Sequence, residues 1–126
     1  MITGLHHLHI FCADTEKMVK YFEDVFGGRV EWRGENRGYP MIRVNVAGAL
    51  INVHGTDPKA EMLEPGKGKR GLDHMGFTVK DLEKTAEEMK KKGAKFSVPP
   101  GVSPTGVKMA FVDGPENIRI ELVQKD

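Results

Sequence analysis

The five histidines are the residues best suited to chemistry in this chain, because an imidazole near neutral pH can give up a proton, take one, or hold a metal. Two of them occupy matching places. Residues Gly4 to Lys17 read GLHHLHIFCADTEK, and Gly71 to Lys84 read GLDHMGFTVKDLEK. At a constant offset of 67 (71 − 4), Gly4/Gly71, Leu5/Leu72, His7/His74, Asp14/Asp81, Glu16/Glu83 and Lys17/Lys84 are identical. A repeat of this period means two copies of one supersecondary unit. In the first copy, strand alternation puts Leu8, Ile10 and Cys12 on one face and His7, His9 and Phe11 on the other. The aliphatic face suits a packed helix, whereas a face with two imidazoles is odd for a core and marks a candidate site.

The elements that must position these residues follow from periodicity and punctuation. Leu5 to Cys12 predicts a strand. Asp14 is a helix N-cap, Met18, Tyr21, Phe22 and Val25 recur at helical spacing, and Gly27-Gly28 stops the helix. Strands are expected over Arg29 to Arg33, Met41 to Val46 and Ala49 to His54, with a polar turn from Glu35 to Pro40 and a tight turn at Ala47-Gly48. Leu50, Asn52 and His54 then share a face. Gly55 to Arg70, rich in glycine, proline and basic residues, reads as a linker.

The second copy repeats the order. Leu72 to Val79 predicts a strand, Asp81 caps a helix that buries Leu82, Ala86 and Met89 and ends at Gly93, and strands follow at Lys95 to Val98, Val107 to Val112 and Ile118 to Gln124. Pro99 to Thr105 is expected to be a loop. In the closing strand Ile118, Ile120 and Leu122 oppose Arg119, Glu121 and Val123. Lys90-Lys91-Lys92 suits a solvated helix C-terminus.

Composition narrows the partners. Nineteen basic against eighteen acidic residues give a formal charge of +1, too balanced for nucleic acid or an anionic membrane surface, so a small molecule is expected. The single cysteine, Cys12, excludes an intrachain disulfide or a cysteine zinc cluster and reads as a small buried hydrophobe. No apolar stretch is long enough for a signal peptide or a spanning helix, so a cytoplasmic protein is expected. At 126 residues the expectation is a single domain, 1–126, with repeat one at 4–54, the linker at 55–70 and repeat two at 71–124.

Two β-α-β-β-β units, each opening with a histidine seven residues ahead of a capping Asp (His7 to Asp14, His74 to Asp81) and closing in IRIELVQ, resemble the vicinal oxygen chelate superfamily. That group takes in glyoxalase I, bleomycin resistance protein and extradiol dioxygenase relatives. The resemblance spans Leu5 to Gln124. It implies an α+β fold in which two β-α-β-β-β repeats form an incompletely closed eight-stranded barrel with helices outside, and most such proteins are homodimers.

The resemblance also implies a metal site: His7, His74 and Glu121 match the family's ligand positions. Two imidazoles and a carboxylate suit one divalent ion, Fe, Mn, Ni, Co or Zn. Asn52 stands where glyoxalase-type members carry Glu, so it is a candidate weak ligand or substrate contact. His9 and His54 are candidates for proton transfer beside Glu121. Arg43, Lys108 and Arg119 are candidate anion contacts, with Arg119 favoured because it shares a face with Glu121. Phe11, Met41, Met109 and Phe111 are candidates for an apolar lining. His6 is discounted.

The reading these residues support is a metal-dependent lyase or isomerase of glyoxalase type acting on a small oxygenated metabolite. Fe(II) extradiol-type dioxygenase is the alternative, and a metal-free sequestering protein the second.

Overall fold

A computed structural model gives the structure of residues 1–125. The chain is α+β and forms two compact units, Met1–Glu61 and Met62 onward, with the boundary inside the glycine- and proline-rich stretch. Each unit has the order β-α-β-β-β and holds its own four-stranded sheet, neither of which closes on itself.

Unit one contains β1 (Leu8–Cys12), α1 (Thr15–Phe26), β2 (Arg29–Asn36), β3 (Tyr39–Val46) and β4 (Ala49–Gly55). The sheet order is β1-β4-β3-β2, with β1 parallel to β4 and the other pairs antiparallel. Helix α1 starts where Asp14 accepts a hydrogen bond from the Lys17 amide at 3.0 Å and ends at Gly27, whose φ of +68° L side chains rarely adopt. Met18, Val19, Phe22 and Val25 bury one stripe against the sheet, where Ile10, Ile42, Val44, Val46, Ile51 and Val53 are also buried. A fully buried side chain of this size contributes about 1.5–3 kcal/mol.

Unit two contains β5 (Met75–Val79), α2 (Leu82–Lys91), β6 (Lys95–Val102), β7 (Lys108–Asp113) and β8 (Arg119–Gln124). Its order is β5-β8-β7-β6, again with the first pair parallel. Asp81 caps α2 by accepting from the Lys84 amide, and Leu82, Ala86 and Met89 pack beside Ala110, Val112, Ile120 and Leu122 in the buried core.

Three boundaries depart from expectation. The first strand of each unit starts at Leu8 and Met75 rather than Leu5 and Leu72, because pairing with the parallel neighbour begins at Leu8↔Ile51 and Met75↔Ile120. His7 and His74 therefore stand immediately ahead of their strands. The polar turn shrinks to Arg37-Gly38, both at positive φ, as a two-residue hairpin requires. Pro40 is tolerated in β3 because pairing with β4 starts one residue later, at Met41↔His54. Finally β6 runs through Pro99 and Pro100, expected as loop; it is an edge strand with a register shift between Val98 and Gly101, the setting in which a missing N–H costs least.

Candidate functional site

In unit two, the residues ahead of β5 and at the start of β8 meet because the two strands are parallel and in register, with Gly76 opposite Glu121. His74 donates or accepts at both ring nitrogens: Nδ1 lies 2.7 Å from Asp73 Oδ2 and Nε2 lies 3.0 Å from Glu121 Oε1. Asp73 is itself held, its Oδ1 accepting from the Gly66 amide at 2.7 Å. Gly66 has φ +78°, which L side chains rarely adopt, and a Cβ there would also displace the Arg119 guanidinium, whose Nη1 would lie 2.7 Å away.

Arg119 sits 3.7 Å from the centre of the Phe111 ring and 3.8 Å from Asp73 Oδ2, and the His74 and Phe111 rings lie perpendicular with their centres 4.9 Å apart. The guanidinium expected to grip substrate is thus engaged in holding the wall of the site. The His74 hydrogen bond, then the Gly66 amide, holds the Asp73 carboxyl below its ordinary value of 3.8.

This donor set fits a divalent cation. With Asp73 accepting the Nδ1 proton, Nε2 carries a lone pair that faces a carboxylate oxygen, and two acceptors 3.0 Å apart require a shared proton or a shared cation. A carboxylate on the far nitrogen is the usual companion of a metal-binding imidazole. Among the described residues no group of three or more His, Cys, Asp or Glu side chains is gathered as a complete metal cage.

Unit one supplies the other expected residues. His7 is exposed, and its Nδ1 lies 2.9 Å from Nδ1 of His6. At the repeat offset His6 corresponds to Asp73 (73 − 67), so in both units the residue before the strand histidine meets its Nδ1. His6, discounted from sequence, and Asp73, missed altogether, take the same position. The repeat alignment carried that signal, since each directly precedes a matched histidine.

On the open face of β1 and β4, His9 pairs with Asn52 and Phe11 with His54 in register. His9 Nε2 lies 3.0 Å from His54 Nδ1, and His54 Nε2 donates to the Asn36 carbonyl at 2.8 Å. Phe11 stacks on His54, their ring centres 5.1 Å apart. His54 and Asn52 are almost fully buried. Burial first, then the facing His54, lowers the His9 pKa from its ordinary 6.5.

Asn52 Oδ1 accepts from Arg43 Nε at 3.1 Å. The Asn52 oxygen thus accepts from a cation across the β3–β4 pair in unit one, where the equivalent place in unit two has Glu121 opposite Phe111. Of the remaining residues, Met41 and Met109 are half-buried, opposite His54 and Val123 respectively, and Lys108 reaches Glu83 at the surface at 3.5 Å.

The family model for the glyoxalase/bleomycin resistance protein/dioxygenase superfamily matches residues 4–122. The chain is 27% identical over 128 residues to the uncharacterised protein YwkD of Bacillus subtilis, covering 99% of each. It is also 27% identical over 130 residues to a probable lactoylglutathione lyase of Synechocystis, covering 95% of this chain and 94% of that one. A variant of the fosfomycin resistance protein FosX from Listeria monocytogenes, solved with Mn(II) and 1S,2S-dihydroxypropylphosphonic acid, has the same fold. It superposes with a TM-score of 0.72 at 18% identity over 98% of this chain and 90% of that one. With the family model spanning both repeats, the chain belongs to the glyoxalase/bleomycin resistance protein/dioxygenase superfamily.

Proposed function

We propose that the protein is a divalent-metal-dependent enzyme of glyoxalase type, a lyase or isomerase acting on a small oxygenated metabolite. Members of this superfamily are mostly enzymes and typically bind a divalent metal. The observation that carries the reading is the Asp73–His74–Glu121 array, in which a carboxylate fixes one imidazole nitrogen and turns the other toward a second carboxylate.

His74 and Glu121 would hold the ion, and His7 is the third ligand that the family resemblance assigns. When bound, it supplies Lewis-acid stabilisation of negative charge developing on adjacent substrate oxygens. Glu121 keeps Oε2 free of hydrogen bonds from the described residues, so that oxygen is placed to take a proton from a carbon acid. His9, oriented by the buried His54, is the second group able to pass a proton. Phe11 and Met109 are the proposed apolar contacts, and Arg43, anchored on Asn52, has further N–H groups for a polar part of the substrate.

A second reading has its own support. Arg43 Nε donates to the Asn52 oxygen, which favours Asn52 as the anchor of Arg43 over a fourth ligand, and a three-ligand set of two His and one carboxylate is that of non-haem Fe(II) oxygenases. As elsewhere in the superfamily, the working form proposed is a homodimer with a small-molecule substrate. The test is solvent deuterium incorporation beside the carbonyl of small α-oxygenated aldehydes and their thiol adducts, run with metal-loaded and chelator-treated protein beside an oxygen electrode. Metal-dependent exchange without oxygen uptake supports the lyase or isomerase. Oxygen uptake with Fe(II) moves the reading to the oxygenase, and a metal-loaded protein that does neither contradicts both.

A further inference from the structure

A cavity of about 290 Å³ opens on unit one, lined by His9, Phe11, Asn36, Arg37 and His54. That is near the lower end of the roughly 300–1,000 Å³ found for small-molecule sites, so its occupant is small. The hydrogen bonds in its wall run in one direction. A backbone carbonyl only accepts, so His54 donates from Nε2 to Asn36. Uncharged His54 then presents a lone pair at Nδ1, and His9 donates to it from Nε2. The remaining lone pair of His9 is on Nδ1, to which no described residue donates.

The acceptor is held in place. His54 is 2% exposed and is stacked under Phe11, and Phe11 also packs against His9 with ring centres 5.0 Å apart. Arg37, at the tip of the β2–β3 hairpin, lines the same cavity, and its guanidinium has no carboxylate partner among the described residues. An oriented acceptor and an unpaired cation lining one small cavity, with an aromatic ring beside them, define the complementary ligand.

We propose that this cavity binds a small hydroxy acid, with its carboxylate or a like oxyanion on Arg37 and a neighbouring hydroxyl donating to His9 Nδ1. The inference names the substrate class of the reading above and rests on that reading for turnover, but binding in this cavity uses only unit one residues and needs no metal. Arg37 is then a specificity-determining residue, and His54 is a positioning residue that acts through His9.

The probe is glycerate, titrated into metal-free full-length protein and followed by calorimetry and by the histidine ring signals in carbon-correlated NMR spectra. Glycerate is expected to bind saturably, with its largest shifts on the His9 and His54 rings. Arg37→Gln is expected to weaken it about tenfold or more, the loss of one hydrogen bond to a charged group. His9→Phe keeps an aromatic ring on the strand and removes the acceptor, and a similar loss is expected. Glycerol, which lacks the anion, and inorganic phosphate, which lacks the carbon-borne hydroxyl, should each bind at least tenfold more weakly than glycerate.

Equal affinity of the parent and Arg37→Gln, or phosphate binding as tightly as glycerate, overturns the proposal. Shifts centred away from His9 and His54 overturn it as well. Because no metal is present, glycerate binding by a protein that never takes up metal would refute the metal centre and leave this subsite standing. Metal uptake without glycerate binding would do the reverse.

Discussion

Replacing Asp73 with Asn should separate the two jobs of its carboxylate. One oxygen accepts from His74 Nδ1 at 2.7 Å and the other from the Gly66 amide at 2.7 Å. An amide has a single acceptor oxygen and an NH₂ in place of the second, so the Asp73→Asn side chain can satisfy one donor only. If its oxygen faces Gly66, its NH₂ faces His74 Nδ1 and favours the tautomer with the proton on Nε2, the nitrogen needed for metal. If its oxygen faces His74, the NH₂ meets the Gly66 N–H and the loop beside Arg119 is pushed away.

Either way the imidazole is a poorer ligand, and removal of such an outer carboxylate typically lowers metal affinity about 10–100-fold. Asp73→Asn is expected at the lower end of that range and Asp73→Ala at the upper. The assay is competition between the protein and a chromogenic chelator for Zn(II) or Mn(II), with circular dichroism to show that each variant is folded. Metal affinity unchanged within about twofold in folded Asp73→Ala would refute the assignment of Asp73 as the residue that orients His74.

Two further outcomes follow from the same geometry. Phe22 is fully buried between α1 and its sheet, so Phe22→Ala should cost unit one about 3–5 kcal/mol, read as an earlier urea transition, and a loss below about 1 kcal/mol would contradict the packing. The Asp73 carboxyl has a folded pKa below its ordinary 3.8. Its contribution is therefore complete above that value and is lost only as pH falls through the lower folded one. In metal-free protein its carbon-13 titration should have a midpoint under 3.8, and a midpoint at or above it would contradict the contacts with His74 and Gly66.

The repeat made much of this architecture legible. Matched Asp14 and Asp81 announced two helix starts, and both cap as expected. Period-two alternation placed His9 and Glu121 on the open faces and Ile10, Ile120 and Leu122 on the buried ones, because burying one face of a sheet fixes which side chains face in. Strand ends were less legible, since they depend on where a neighbour stops pairing, and β4 and β8 set the starts of β1 and β5. Pro99 and Pro100 read as loop because a missing N–H argues against a strand until the strand is known to lie at an edge.

The supporting residues of the site were the least visible. Alternation says nothing about Asp73, which precedes its strand, and nothing local marks Gly66 as the donor that holds it. Arg37 looked like one charge within a polar turn, yet a two-residue hairpin delivers it to a cavity with His9 and His54. Asn52 stood out as a departure from the glyoxalase pattern, but its engagement by Arg43 depends on the β3–β4 register, which fixes which residue lies across from it.

The metal centre is tested most directly by elemental mass spectrometry of protein purified without chelator, beside His74→Ala prepared identically. Near-stoichiometric divalent metal in the parent and its loss in a folded His74→Ala are expected. Nickel, zinc, cobalt or manganese would favour the lyase or isomerase, and iron the oxygenase. A parent that carries no metal and takes up none of these ions when they are added would contradict the account and leave a sequestering protein as the reading.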